Sequence, residues 1–206
     1  MQQPRMSALA LTLVASMLPL AGCAPTATVV RPGVPQTPTT LGLDYRDFEF
    51  AAMEATQSML GSGAVDRPGG GRYVLAISRI INDTMQRIDT DQLVKKIRVA
   101  LLQSGKVVTT TAVSIDGPED QMVYEARELN ASDEFDQSTK ISKGQLVRPD
   151  FSLSGKLIQR NHKIDSSTQQ VDYYFQLTLT DIKSGLAYWE GETPIIKQGS
   201  NRSVSW

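Results

Sequence analysis

Val171-Asp172-Tyr173-Tyr174-Phe175-Gln176-Leu177-Thr178-Leu179-Thr180 decides the fold class of this chain. Val171, Tyr173, Phe175, Leu177 and Leu179 are apolar and alternate with Asp172, Tyr174, Gln176, Thr178 and Thr180. Successive side chains of a strand point to opposite faces, so the run reads as a strand with one buried face and one open face. The same pattern precedes it: Phe151, Leu153, Gly155 and Leu157 interleave with Ser152, Ser154 and Lys156. Residues 161–168 read as the hairpin turn between the two. Lys183-Ser184-Gly185 turns the chain again, into a third strand from Leu186 to about Ile196 that carries Trp189. Three strands joined by short turns pair antiparallel, and their polar face needs no cover.

Upstream, the pattern mixes helix and strand. Phe48, Ala51, Ala52, Ala55 and Met59 recur at helical spacing from Asp44, and Gly61-Ser62-Gly63 stops them. Tyr73 to Ile81 is a strand by its β-branched content, ended by Asn82-Asp83-Thr84. Thr90 is placed to cap a helix from Asp91 to about Ser104, with Leu93, Ile97, Ala100 and Leu101 on one face and Gly105 just past its end. Lys106 to Ala112 reads as a second strand. Asp116-Gly117-Pro118 opens a further helix to about Ala131, with Met122, Ala126 and Leu129 expected inward. Residues 131–144 are polar and lack a period, which makes them a loop with one short helical turn. The fold class is therefore α/β: a single domain whose mixed sheet ends in an antiparallel meander, with helices packed on one face.

The N-terminal residues differ in composition. Arg5 precedes an apolar run, Ala8 to Leu20, of 13 residues. A bilayer core needs about 20, so this is the length of a secretory signal and not of a membrane span. The run ends in Leu20-Ala21-Gly22-Cys23, a bacterial lipobox in form, with Cys23 the chain's sole cysteine. Residues 1–22 are thus read as a lipoprotein signal peptide and Cys23 as the lipidated residue. Two or three acyl chains would anchor the protein stably, without spanning. Ala24 follows, not the Asp that marks inner-membrane retention. Residues 23–43 hold four of the ten prolines and no aromatic, and read as a lipid-anchored tether, with the domain occupying 44–206.

Little in the chain points to catalysis. The 21 Lys+Arg and 22 Asp+Glu leave a net charge of −1, without the basic footprint of a nucleic-acid binder. One Cys and one His exclude a structural zinc site and an internal disulfide. His162 is expected in a solvated turn. Gly61-x-Gly63 follows a helix where a dinucleotide fingerprint needs a strand, and Gly69-Gly70-Gly71 lacks the Lys-Ser or Lys-Thr of a phosphate loop. The acid pairs Glu119–Asp120, Asp133–Glu134 and Glu190–Glu192 mark no groove, and acids at a helix start are explained by its dipole. No catalytic residue, metal ligand, cofactor or small-molecule substrate is assigned.

Taken in order, several fragments resemble one family. They are the lipobox, the proline linker, Ser58-Met59-Leu60, Ile80-Ile81-Asn82-Asp83-Thr84, Ile88-Asp89-Thr90 and Ala100-Leu101-Leu102-Gln103-Ser104-Gly105-Lys106-Val107. Leu153-Ser154-Gly155-Lys156, Gln176-Leu177-Thr178-Leu179-Thr180-Asp181, Gly185 and Tyr188-Trp189 follow. Together they are similar to the LpoB family, outer-membrane lipoprotein activators of bifunctional penicillin-binding proteins. The resemblance spans most of 44–196. It implies a non-enzymatic domain, anchored in the outer membrane and facing the periplasm, that docks on a class A synthase and stimulates peptidoglycan synthesis. It also implies a fold shared with subunits of the curli secretion channel and the N-terminal domain of TolB. Family members with long disordered tethers have more chain there than this protein does.

Two other functions fit the same residues: a structural or secretion-associated envelope lipoprotein of related fold, and a periplasmic enzyme. For a partner surface, Tyr174 is the only aromatic on the meander's outward face, and Asn82, Thr84 and Arg87 lie beside the first strand's end. Tyr174 has two readings, interface anchor or cross-strand packing. Asn82 likewise reads as a strand-ending Asx turn.

Overall fold

The pairing of the strands follows from the apolar faces they must bury. A computed structural model describes residues 40–113 and 119–203 of the chain. In chain order these form α1 (Tyr45–Gly61), β1 (Tyr73–Asp83), α2 (Thr90–Gln103), β2 (Val107–Thr109), α3 (Met122–Glu128), β3 (Phe151–Lys163), β4 (Thr168–Asp181) and β5 (Ala187–Ser200). Two short 3-10 turns, Leu129–Ala131 and Gln137–Thr139, lie between α3 and β3. The sheet order is β2-β1-β3-β4-β5. β1 runs parallel to β2 and β3, and β3, β4 and β5 form the antiparallel meander. The result is a single mixed α/β domain, as the alternation implied.

Helices α1 and α2 cover one face. α1 packs against β5 and against α2, and α2 packs on β1 and β2. Ala51, Ala52 and Ala55 keep the α1 surface low enough for close approach, with Met59 filling the end of the same stripe. From α2, Leu93, Val94, Ile97 and Leu101 enter the core. All five inward residues of β4 are buried with them, beside Phe151, Leu153 and Leu157 of β3. Each fully buried side chain of this size contributes about 1.5–3 kcal/mol relative to exposure.

Two backbone features make this face continuous. In β1, Leu75 and Ile77 face the core in register with Phe151 and Leu153, and the next inward residue is Ile80, opposite Gly155. An odd spacing cannot keep one face without an extra residue, so the strand bulges between Ile77 and Ile80. Gly155 answers the bulge: a Cβ there would lie 2.6 Å from the Gln176 carbonyl oxygen and 2.6 Å from a Leu177 methyl. Only glycine admits that approach.

Several local expectations are corrected. The α2 cap is Asp89, whose Oδ1 accepts from the Asp91 N–H at 3.0 Å, and Thr90 is the first helical residue. β2 stops at Thr109 because the Thr110 Oγ1 accepts from the Ala112 N–H and bends the chain. α3 is shorter than its apolar spacing suggests and faces no core. Met122 and Leu129 are exposed, since no sheet or helix covers them. Asp116, Gly117 and Pro118 lie outside the described residues.

His162 is not in a turn. β3 continues to Lys163, pairing Asn161, His162 and Lys163 with Val171, Gln170 and Gln169, and the hairpin turn is 164–167. In that turn Asp165 Oδ1 accepts from the backbone N–H groups of Ser167 and Thr168, which does the work expected of a longer polar loop.

At the N-terminal end of the described chain, Leu41 and Leu43 are each only 5% exposed and belong to the core. Thr40–Leu43 form a strap that polar groups fasten on all sides. Tyr173 Oη donates to the Leu41 carbonyl (3.0 Å), Lys197 Nζ to that of Gly42 (2.7 Å), and the Gln86 amide bonds both backbone groups of Leu43 (2.8 and 2.9 Å). Composition placed these residues in the tether. Burial and Asp47 push the Tyr173 hydroxyl up to about 12, so it stays a donor. Asp44 then caps α1 in a capping box with Asp47. Burial opposes ionisation of Asp44, but hydrogen bonds from Arg46 and the Asp47 N–H, with the Lys197 charge, hold its carboxyl below the usual range.

Candidate functional site

The helices cover one face of the sheet, and the other face is organised in rows. One row runs Asp83, Ile158, Tyr174, Pro194 across β1, β3, β4 and β5. The rows on either side are Ile81, Lys156, Gln176, Glu192 and Arg160, Asp172, Ile196. Ile158, Tyr174 and Pro194 thus make an apolar band between rows that are polar in the middle, extended at their ends by the exposed Ile81 and Ile196. Pro194 sits in an edge strand, where a missing N–H is tolerated and blunts pairing with other chains.

The flanking charges are fixed by partners. Lys156 Nζ is 2.7 Å from Asp83 Oδ2, and this hydrogen bond holds the Asp83 carboxyl below its ordinary range. Asp172 is the buried acid of the face. Its Oδ2 lies 3.0 Å from His162 Nε2, and its Oδ1 accepts from Gln170 Nε2 at 2.8 Å. A buried carboxylate needs such partners. His162 therefore has an orienting acid, and no Ser or Cys nucleophile is hydrogen-bonded to it among the described residues. Glu190 and Glu192 share the same face over a shallow depression, where they accept from Thr178 and Gln176.

The loop after β1 is a second candidate. Asn82 Oδ1 accepts from the Thr84 N–H and hydroxyl, Asn82 Nδ2 donates to the Gln86 carbonyl, and Thr84 Oγ1 donates to the same carbonyl. The Asx-turn reading of Asn82 describes this geometry. The side chains of Asn82 and Thr84 hold the loop's shape, while Arg87 is exposed. Met85 projects from the loop, 71% exposed, with its backbone N–H held by Gln159 Oε1.

Thr84 and Arg87 are thus on the loop after β1, Asn82 at the end of β1 is hydrogen-bonded to that loop, and Tyr174 is not with them. By alternation Asn82 faces the helix side of the sheet, and its neighbour Asp83 shares the face of Tyr174. The sequence did not single out Met85, Ile158, Pro194 or Ile196. The β5 alternation held a signal for the last two, but linking them to Tyr174 required the register. A third surface, the open groove between α1 and α2 of ≈ 530 Å³, is lined by Met53, Leu60 and Val99 together with Glu49, Lys95 and Lys96. Cys23 lies outside the described residues. Among the described residues, no three His, Cys, Asp or Glu side chains are grouped to hold a metal ion.

An α/β domain with one face filled by helices and the other patterned with an apolar band is a surface-presenting fold. The family model of the peptidoglycan-synthase activator LpoB matches residues 47–195, and the chain belongs to that family. Among solved structures, it is similar to the LpoB C-terminal domain from Escherichia coli, with 16% identity and a TM-score of 0.42, covering 72% of this chain and 98% of that one. It is also similar to the NMR structure of E. coli LpoB (19% identity, TM-score 0.41, 95% and 96% covered). The PelC dodecamer from Paraburkholderia phytofirmans is a more distant likeness (18%, 0.30, 65% and 76%). No curated protein matches the chain in sequence.

Proposed function

We propose that this chain is a lipoprotein, acylated at Cys23 and held in the outer membrane facing the periplasm, that binds and activates a class A bifunctional penicillin-binding protein. The family match over 47–195 carries this reading. The lipobox at Leu20-Ala21-Gly22-Cys23 supports the anchor. With Thr40–Leu43 built into the domain, residues 24–39 remain as spacer, about 50 Å long at roughly 3.1 Å per residue in polyproline form. The chain binds and does not itself carry out chemistry.

The deciding experiment adds the purified protein to its synthase and follows glycan-chain polymerisation from lipid II. Stimulation is expected, and an unchanged rate at saturating protein would overturn the activator reading. The anchor has its own test. Cys23→Ser should give an unprocessed precursor or a soluble periplasmic form, and unchanged mass and detergent partitioning in that variant would refute lipidation.

Tyr174 tests the band. Its ring lies half-buried between Ile158 and Pro194, so it can pack across strands and still present an edge. As an anchor, Tyr174→Ala should weaken synthase binding by about 1–2 kcal/mol with little change in melting temperature. A large stability loss with binding intact in the folded fraction would assign the ring to packing alone.

A further inference from the structure

Residues 84–89 join β1 to α2, and none of them is buried, though Ile88 packs against the core. The loop's shape rests on polar bonds that converge on Gln86. Asn82 Nδ2 donates to the Gln86 carbonyl at 2.9 Å, and the Gln86 N–H donates to Thr84 Oγ1 at 3.2 Å. The side chain of the same residue leaves the loop and reaches the strap. Its Oε1 accepts the Leu43 N–H at 2.8 Å, and its Nε2 donates to the Leu43 carbonyl at 2.9 Å. A side-chain amide that bonds both backbone groups of one residue imitates the pairing of a neighbouring strand. Gln86 therefore holds the loop with its backbone and the strap with its side chain.

The strap is built to be seated or lifted as a piece. Leu41, Gly42 and Leu43 offer successive carbonyls to side chains from separate elements: Tyr173 of β4, Lys197 of β5 and Gln86 of the loop. The Leu41 and Leu43 side chains are buried in the core, so a partial departure exposes apolar surface and breaks these bonds together. Once the strap lifts, the Gln86 amide loses both partners in a part-buried position. A polar group stranded in this way costs more than its bonds contributed, so the loop must move to return it to water. That movement pulls on the loop's other tie, from the Met85 N–H to Gln159 Oε1 at 3.0 Å, where Gln159 is a buried residue of β3.

We propose that the strap and the loop after β1 open and close as one unit, coupled through Gln86, so that the loop keeps its shape only while Thr40–Leu43 are seated. Such a unit opens below the free energy of global unfolding. The chain that enters the domain at the strap thereby governs how the exposed side chains of Met85 and Arg87 are presented. Coupling is reciprocal: a change on the strap reaches the loop, and a change in the loop reaches the strap. The device is independent of the synthase.

The test is amide hydrogen exchange on the full-length protein, followed by NMR. The Met85 and Gln86 amides report on the loop, the Leu43 amide on the strap, and the amides at the centre of β4 on global unfolding. Tyr173→Phe removes the strap's anchor in β4 and changes no loop residue. It should speed exchange at Met85 and Gln86 about fivefold, the equivalent of one hydrogen bond lost. Thr84→Ala loosens the loop from within and changes no strap residue, and it should speed exchange at Leu43 by a similar factor. Gln86→Leu removes both bonds to Leu43 and should speed exchange at Met85 and Leu43 about tenfold or more. Where Tyr173→Phe folds poorly, Leu41→Ala loosens the strap instead and is read at the same amides. Unchanged loop rates in Tyr173→Phe, or an unchanged Leu43 rate in Thr84→Ala, would overturn the proposal and leave two segments held independently. Rates that rise only in step with the centre of β4 would overturn it as well, because the opening would then be global unfolding.

Discussion

A fragment beginning at Asp44 will melt about 10 °C below one beginning at Gln36. The shorter fragment lacks Leu41 and Leu43, both 5% exposed, and each buried leucine contributes about 2 kcal/mol. It also strands the Tyr173 hydroxyl and the Gln86 amide, whose partners are the Leu41 carbonyl and the backbone of Leu43. A domain of this size loses about 2–4 °C per kcal/mol. Differential scanning calorimetry of the two fragments decides it. Coincident transitions would mean that the strap rests on the domain without stabilising it.

The second large effect is expected at Lys197. Its ammonium lies 2.5 Å from Asp47 Oδ2, and the two side chains are only 11% and 15% exposed. Removing one member of a nearly buried pair leaves the other charge uncompensated, at a cost of about 3–5 kcal/mol. Asp47 cannot turn away to water, because its Oδ2 also accepts the Asp44 N–H in the α1 capping box. Lys197→Met should therefore lower the melting temperature by about 6 °C or more. Lys156→Met is the comparison. Its pair with Asp83 is about half exposed, and such pairs are worth under about 1 kcal/mol. Equal shifts for the two variants would show that water reaches Lys197 as freely as it reaches Lys156.

The elements with a clean period were legible in the sequence, and those that depend on a partner strand were not. β4 repeats at two residues from Val171 to Thr180, so its inward set could be named from letters alone, and all five are buried. α1 and α2 were equally readable, since their apolar stripes recur at helical spacing between good caps. β1 was harder: the step from Ile77 to Ile80 breaks the period, and only the pairing with Gly155 explains it. α3 misled because an apolar stripe implies a core to bury it, and the stripe says nothing about whether one is in reach.

The candidate surface was half legible for a similar reason. Tyr174 stood out within its own strand, but Ile158 and Pro194 join it only through register. Leu41 and Leu43 were hidden by their neighbours. Threonine and proline dominate that stretch, so composition averaged over it outweighed two leucines two residues apart. Asp172 looked like an ordinary outward polar residue, and its burial depends on His162 and Gln170 reaching over it.

The strap also sets where mechanical load enters the domain. Among the described residues, Thr40–Leu43 are the first to take a pull from the preceding chain, and their hydrogen bonds run to β4, β5 and the loop after β1. Tyr173 and Lys197 belong to different strands of the meander, so tension divides between two hydrogen-bonded ladders before it reaches the first turn of the helix. To unravel the domain from this end, force must first extract two leucines from the core and part the Lys197–Asp47 pair. Under pull the domain would yield in one abrupt step at the strap, not by gradual uncoiling of α1.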